Sequence, residues 1–571
     1  MKHVVMTLTE KRRWFAGLLL GLTGLATGCG APGDETEAAP TSDAEPLYAK
    51  ADKIWPMHQI PVCWNFTGYD TEKQWVRDTL KGQRSWETAG DVTFEQWTDC
   101  VHPFTGIQLE HTDFLVHPTA TTIYKDQNDG GDIIYLDFKS APETKYAACV
   151  ANGLNREQCI KEVALHEFGH ALGFAHEQAR LATFYADPVC YGTKQQGGPG
   201  DEEFPLDADL ESILSYCRNN YQLSQYDRLG LRRWYGAPYW DQAKLRDYDA
   251  DQRADFLCHD TSTGKHWIDY ANTSAQLNGT DWSHDGGWCA TSSQHLIRGD
   301  FTGDGRTDLL CHDRNYGKLW IDYADTLAHF DGTDWSRAAQ WCALDSAEIF
   351  VGRFNDDLRD DILCHDRDSG KLWIDYADTA GTFMGTDWSH AHNFCAGDTR
   401  NQLFIADFNG DQKEDLLCFF QGLGVDSVDY ADATGRFMGP DWVRSNESTP
   451  FWCEGQSEEM FVGKFNNDTR FDLLCHDTVT GKIKVDLAAS TEPRFGTVDW
   501  TSADTDGWCY QSTGRIFVGD LNKDSRSDLL CYDIETGQRW ASYADSAGHF
   551  NGTSWSSGGD GWCTHDSGQV H

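Results

Sequence analysis

Hydrophobic positions follow three regimes along the chain. An apolar run from Trp14 to Ala26 follows Lys11, Arg12 and Arg13, the length of a signal-peptide core and too short to span a bilayer comfortably. Between Asn155 and Gly173 apolar residues recur at helical spacing: Ile160, Val163, Ala164, Phe168, Ala171 and Leu172 form one broad face, and Asn155 is placed to cap it. Alternation from Asp132 to Phe138 predicts a strand. From about residue 243 the pattern repeats. Asp255, Asp308, Asp361, Asp415, Asp472 and Asp528 occupy one slot at steps of 53, 53, 54, 57 and 56 residues, each followed by an apolar pair and a cysteine. Four short strand-like stretches per unit at this period predict an all-β propeller of six blades, with a seventh assembled from both termini left open.

Four segments follow: a signal at 1–28, a small-residue, acidic tether at 29–46, a first folded domain at 47–237 and the repeats at 243–571. Ninety acidic against 47 basic residues give a formal charge of −43 in 571 residues. That balance argues against nucleic acid and against electrostatic docking on anionic lipid, and favours calcium. Nineteen cysteines without a C-x-x-C pair indicate disulfides and an oxidising compartment.

The chemistry concentrates in His166-Glu167-Phe168-Gly169-His170, followed by Gly173 and His176. A four-residue step puts His166 and His170 on one helix face, and Gly173 can turn the chain so that His176 supplies a third nitrogen. Three neutral imidazoles leave one position of a tetrahedral zinc open, which is the pattern of a catalytic site. Glu167 is placed to take a proton from water activated there and to pass it to a leaving amine.

His166 to Arg180, HEFGHALGFAHEQAR, resembles the metzincin zinc peptidases, and most closely the astacin family. Glu211-Ser212-Ile213-Leu214-Ser215-Tyr216 resembles that family's Met-turn, with Leu214 in place of methionine. The resemblance implies an α+β metzincin-type domain over 47–237, an apolar floor from Leu214 and an oxyanion role for Tyr216, against which a plain core tyrosine is the other reading. It also implies that Glu177 anchors a mature N-terminus, a role that the short tether here does not favour. Leu25-Ala26-Thr27-Gly28-Cys29 resembles a bacterial lipobox, implying a lipid anchor at Cys29 as the protein's one membrane attachment and an outer-membrane or secreted location; an ordinary secretory signal is the alternative.

The repeats resemble the calcium-binding FG-GAP/VCBS-type units of bacterial extracellular proteins and integrin-type propellers. Oxygen side chains at places one, three, five and nine of an acidic loop suit a hard cation. Four units keep all four: Asp247, Asp249, Asp251 and Asp255; Asp300, Thr302, Asp304 and Asp308; Asp407, Asn409, Asp411 and Asp415; and Asp520, Asn522, Asp524 and Asp528. Arg353 and Lys464 replace the first oxygen in the other two, so those loops are expected to lack the ion. Trp267, Trp320, Trp373 and Trp540 share a slot and are expected to pack blades rather than to form sugar platforms. His259, His312, His365 and His476 are read as structural or surface residues. The repeat cysteines can pair within a unit, as Cys258 with Cys289, or across units, as Cys289 with Cys311, which leaves Cys258 and Cys563 to close the ring.

The combined expectation is an exported zinc metalloendopeptidase, with catalytic zinc and structural calcium, acting on protein or peptide and carried by a propeller that binds a polysaccharide or cell-surface ligand. The rival is a non-enzymatic adhesin on a protease-like scaffold. Intact Glu167 argues against it.

Overall fold

The computed structural model describes residues 53–111, 132–136, 138, 155–176, 209, 212–215, 223–236 and 243–571, apart from 292, 339, 392, 398–400, 421–424, 445–451, 454, 456, 492–494, 497, 504–506 and 512. The signal, the tether with Cys29, Glu177 and Tyr216 lie outside the described residues. Among the described residues no helix is long and apolar enough to cross a membrane.

The first part centres on a parallel sheet in the order β2-β1-β3-β4, formed by β1 (Gln59–Trp64), β2 (Thr93–Asp99), β3 (Ile107–His111) and β4 (Asp132–Leu136). Helices α1 (Asp70–Lys81) and α2 (Arg156–Ala171) share its core: Ile60, Val62 and Leu109 meet Val76, Leu80, Leu165 and Phe168. Cys63 and Cys100 are bonded. The Asn155 cap on α2 is present as a capping box, Asn155 accepting from the Gln158 amide and Gln158 from that of Asn155. A third helix, α3 (Gln225–Tyr235), is capped the same way by Ser224 and Asp227 and stops at Gly236, whose φ of 86° suits glycine.

Residues 243–571 form six four-stranded antiparallel blades. A typical blade runs Gln294–Gly299, Asp308–Asp313, Lys318–Asp322 and Trp335–Arg337 from the inner strand outward. No seventh blade is needed. The last strand, Gly568–Val570, pairs with Phe256–Asp260 and supplies the inner strand that the first repeat lacks. Blades are therefore offset from the sequence repeats, and the offset decides the disulfides. They follow the across-unit scheme: Cys289–Cys311, Cys342–Cys364, Cys395–Cys418, Cys453–Cys475 and Cys509–Cys531, with Cys258–Cys563 closing the ring.

Neighbouring blades are tied by repeated contacts. Trp288, Trp341 and Trp508 donate their indole N–H to Thr333, Thr386 and Thr553, and Trp562 closes the circuit onto Thr280. Arg539 and Asp269 form a fully buried ion pair across the ring closure, at 2.5 Å. Trp267, Trp320, Trp373 and Trp540 are half-buried and pack against the blade cores, as expected. The histidine slot is buried bracing: His312, His365 and His476 bond the carbonyls of Trp341, Phe394 and Trp508, each just before a disulfide cysteine, and Tyr532 does the same to Trp562. Seven disulfides among the described residues fit an oxidising, exported setting.

Candidate metal centre

The three histidines converge. Nε2 of His166 lies 3.1 Å from Nε2 of His170 and 3.3 Å from Nε2 of His176, and the latter two are 3.0 Å apart. Zinc–nitrogen bonds of about 2.0–2.1 Å at tetrahedral angles separate ligand nitrogens by roughly 3.3 Å, so this triangle has the size of a three-histidine zinc face. α2 delivers His166 and His170 from successive turns. At the helix end, Gly173 has a φ of 96°, and a Cβ there would stand 3.0 Å from Ile54, so the turn that carries His176 inward requires glycine. Trp55 and Tyr235 donate to the carbonyls of Ala171 and Leu172, two acceptors that the end of the helix leaves open.

Two of the three rings are oriented from behind. Nδ1 of His166 donates to the Ile213 carbonyl at 2.7 Å, and Nδ1 of His170 to the Phe174 carbonyl at 2.7 Å, which leaves both Nε2 lone pairs facing the triangle. Burial and His176 push His166 down to about 4, keeping it neutral. Glu167 is 5% exposed, with Oε1 4.0 Å from His166 Nε2, and burial raises its carboxyl well above the ordinary range.

Behind the three histidines, Leu214 is fully buried, and a side chain at Gly169 would meet it at 2.9 Å, so it lies against α2. The turn Ser212–Ser215 is held by Asp227, which accepts from Ser212 Oγ at 2.6 Å and from the Ile213 amide at 2.8 Å. Asp227 was not among the residues the sequence singled out; its only signal was its spacing of three from Ser224, which reads as a helix cap.

The acidic loops of the propeller are closed by their own amides. Asp247 accepts from Asp251 and Gln252, Asp300 from Gly303, Asp304 and Gly305, Asp407 from Gly410, Asp411 and Gln412, and Asp520 from Asp524 and Ser525. At the third place Asp249 and Asn409 each accept from the amide two residues on, and Thr302 sits 3.5 Å from Asp300. The fifth-place carboxylates of Asp251, Asp304, Asp411 and Asp524 pair with Arg253, Arg306, Lys413 and Arg526. Oxygens of Asp247, Asp249 and Asp251 come within 4.8 Å of one another. Asn522 Oδ1 is shielded from solvent with no hydrogen-bond partner, an acceptor of the kind a cation would satisfy.

The ninth-place aspartates share one structural task. Asp255, Asp308, Asp415 and Asp528 each accept two backbone amides, Asp308 from Phe301 and Ala324. Asp361 and Asp472 do the same in the two loops that begin with Arg353 and Lys464. This clip therefore operates whether or not the loop has the first oxygen.

No family model matches the chain, and no curated protein matches it. Among solved structures, a lectin of Agrocybe aegerita that recognises non-reducing terminal N-acetylglucosamine is similar over 57% of this chain and 96% of its own, at 14% identity and a TM-score of 0.38. Myroilysin is similar over 33% of this chain and 97% of its own, at 15% identity and a TM-score of 0.23. A periplasmic gluconolactonase of Pseudomonas aeruginosa is similar over 55% of this chain and 85% of its own, at 12% identity and a TM-score of 0.34.

Proposed function

We propose that this chain is an exported zinc metalloendopeptidase of the astacin-like metzincin type. The observation that carries the reading is the triangle of His166, His170 and His176 nitrogens with the Glu167 carboxyl beside it. Zinc held there supplies polarisation of the scissile carbonyl and a more acidic water. Glu167 accepts that water's proton and returns it to the departing amine; its buried position raises the carboxyl above the ordinary range, which favours the proton-carrying form that the second transfer needs. Tyr216 is assigned to the oxyanion. Attachment through a lipidated Cys29 in the bacterial envelope belongs to the same reading.

We assign calcium to the loops beginning at Asp247, Asp300, Asp407 and Asp520, with the ninth-place aspartates committed first to their backbone clips. Each loop leads into the second strand of its blade, so all lie at the end of the propeller opposite the turns that meet the first part. That outward end is where a polysaccharide or cell-surface ligand is assigned.

The test is cleavage of an unfolded protein substrate by the full chain. Glu167→Gln is expected to lower kcat by about 10²–10⁴ while retaining zinc, and His166→Ala to lose zinc. Wild-type protein that holds zinc and cleaves nothing overturns the reading in favour of a non-enzymatic binding protein, and equal cleavage by Glu167→Gln and wild type overturns the role of Glu167.

A further inference from the structure

The segment Gly82–Asp91 lies between the propeller and the metal helix. On one side it is fastened to the propeller. Gln83 donates to the Cys563 carbonyl at 2.6 Å, Arg84 to the Ile534 carbonyl at 3.3 Å, and the buried Asp91 carboxylate receives Arg367 at 2.7 Å. Gly82 has a φ of −74°, which any residue adopts, yet a Cβ there would stand 1.3 Å from the Asp566 carbonyl oxygen. The propeller alone refuses a side chain at that position.

On its other side the segment touches the residues that carry the ligands. The fully buried Trp86 donates its indole N–H to the Leu165 carbonyl at 2.7 Å, one residue before His166. Its ring lies so close to Gly169, one residue before His170, that a Cβ there would be 2.6 Å away, and it stacks on Phe174, whose carbonyl orients His170. Further clamps surround this contact. Asp345 accepts the amides of His58 and Gln59 at the head of β1, Lys161 of α2 pairs with Asp566, and Arg232 of α3 pairs with Glu459. Residues 43–571 accordingly form one compact unit.

We propose that the propeller is part of the support of the metal centre: by fixing Gly82–Asp91 it sets Trp86 against α2, and Trp86 is a positioning residue for His166 and His170. This rests on the metallopeptidase reading and adds a role for the propeller other than ligand capture. Binding to one end of a rigid helix is biased by what packs behind it, because packed interfaces move between discrete arrangements rather than deforming smoothly. By linkage, metal at the histidines tightens the interface in return.

The experiment uses the full chain and cobalt(II) as the probe, read by chelator competition and by its visible absorption, with amide exchange over residues 82–91 measured in parallel. Gly82→Ala, and separately the double variant Asp345→Ala/Arg367→Ala, are expected to raise exchange in that segment, weaken cobalt binding by about 2- to 30-fold and shift the absorption band. Raised exchange with unchanged cobalt affinity and spectrum overturns the proposal, as does unchanged exchange. Trp86→Phe leaves the interface residues in place and removes the bond to Leu165 together with the part of the indole that lies against Gly169; it is expected to weaken cobalt binding without raising exchange at Gln83 and Arg84, and wild-type affinity and spectrum in it overturn the positioning role. Wild-type protein that binds no cobalt at all overturns the metallopeptidase reading itself, a distinct result.

Discussion

His166 and Ile213 are joined by a hydrogen bond of 2.7 Å from the ring Nδ1 to the backbone carbonyl, across 47 residues of sequence. The bond fixes the tautomer of His166 and the aim of its ring, and its acceptor is placed by Asp227, which accepts from the Ile213 amide. Second-sphere partners of this kind are typically worth 10- to 100-fold in metal affinity. Asp227→Ala is therefore expected to weaken zinc binding by about that factor, measured by competition with a chromophoric chelator. Ser212→Ala, which removes one neutral donor to Asp227, is expected to cost less.

Removal of zinc by a zinc-selective chelator in the presence of calcium should abolish peptidase activity, and stoichiometric zinc should restore it. Melting of the propeller serves as the internal control: its blades are held by disulfides and their own ion pairs, so the main transition should stay within a few degrees. An activity that survives complete zinc loss would contradict the site assignment.

The buried histidine slot gives the propeller an acid-sensitive element. Burial pushes His312 down to about 3 and His365 to about 4, and lowers His476 as well. Between those values and the free-histidine value of about 6.5, the unfolded chain binds protons that the folded chain refuses. Stability is therefore full above that window and falls as pH drops through it. His312→Tyr, which copies Tyr532 of another blade, should remove one titrating group and flatten the loss by up to about 1.4 kcal/mol per pH unit around pH 4–5, read as a smaller drop in Tm between pH 7 and 4.

Ring closure can be tested at the buried pair of Arg539 and Asp269. Removing one partner of a buried ion pair strands the other charge and costs about 3–5 kcal/mol, so Arg539→Ala should lower the propeller's denaturant midpoint strongly. The closing disulfide Cys258–Cys563 spans 305 residues against 22 for Cys289–Cys311. Loop-closure entropy assigns roughly 6 kcal/mol to the first and roughly 3 to the second, so serine pairs at 258/563 should destabilise more than those at 289/311.

Calcium should bind residues of the loops at 247, 300, 407 and 520 and not those at 353 and 464, where a positive charge stands first. Calorimetry with Asp247→Ala and Asp407→Ala is expected to show one site lost in each; four sites retained in either variant would contradict the assignment.

The sequence by itself determined what is local or periodic. His166, Glu167 and His170 sit within five residues of one helix, and Gly173 turns His176 toward them, so helical geometry and one glycine turn bring the three histidines together. The repeat period likewise dictated blades, since each unit must bury its strands against the next. Only the tertiary structure decided the rest. The cysteine period is the same for either pairing, and the C-terminal strand, by completing the first blade, selected the across-unit scheme. The bracing of His166 by Ile213, the bond from Trp86 to α2 and the fastening of Gln83 to the propeller join residues 47, 79 and 480 positions apart. Contacts at that range leave no periodic trace in a single sequence, because they are set by which surfaces meet once each part has folded.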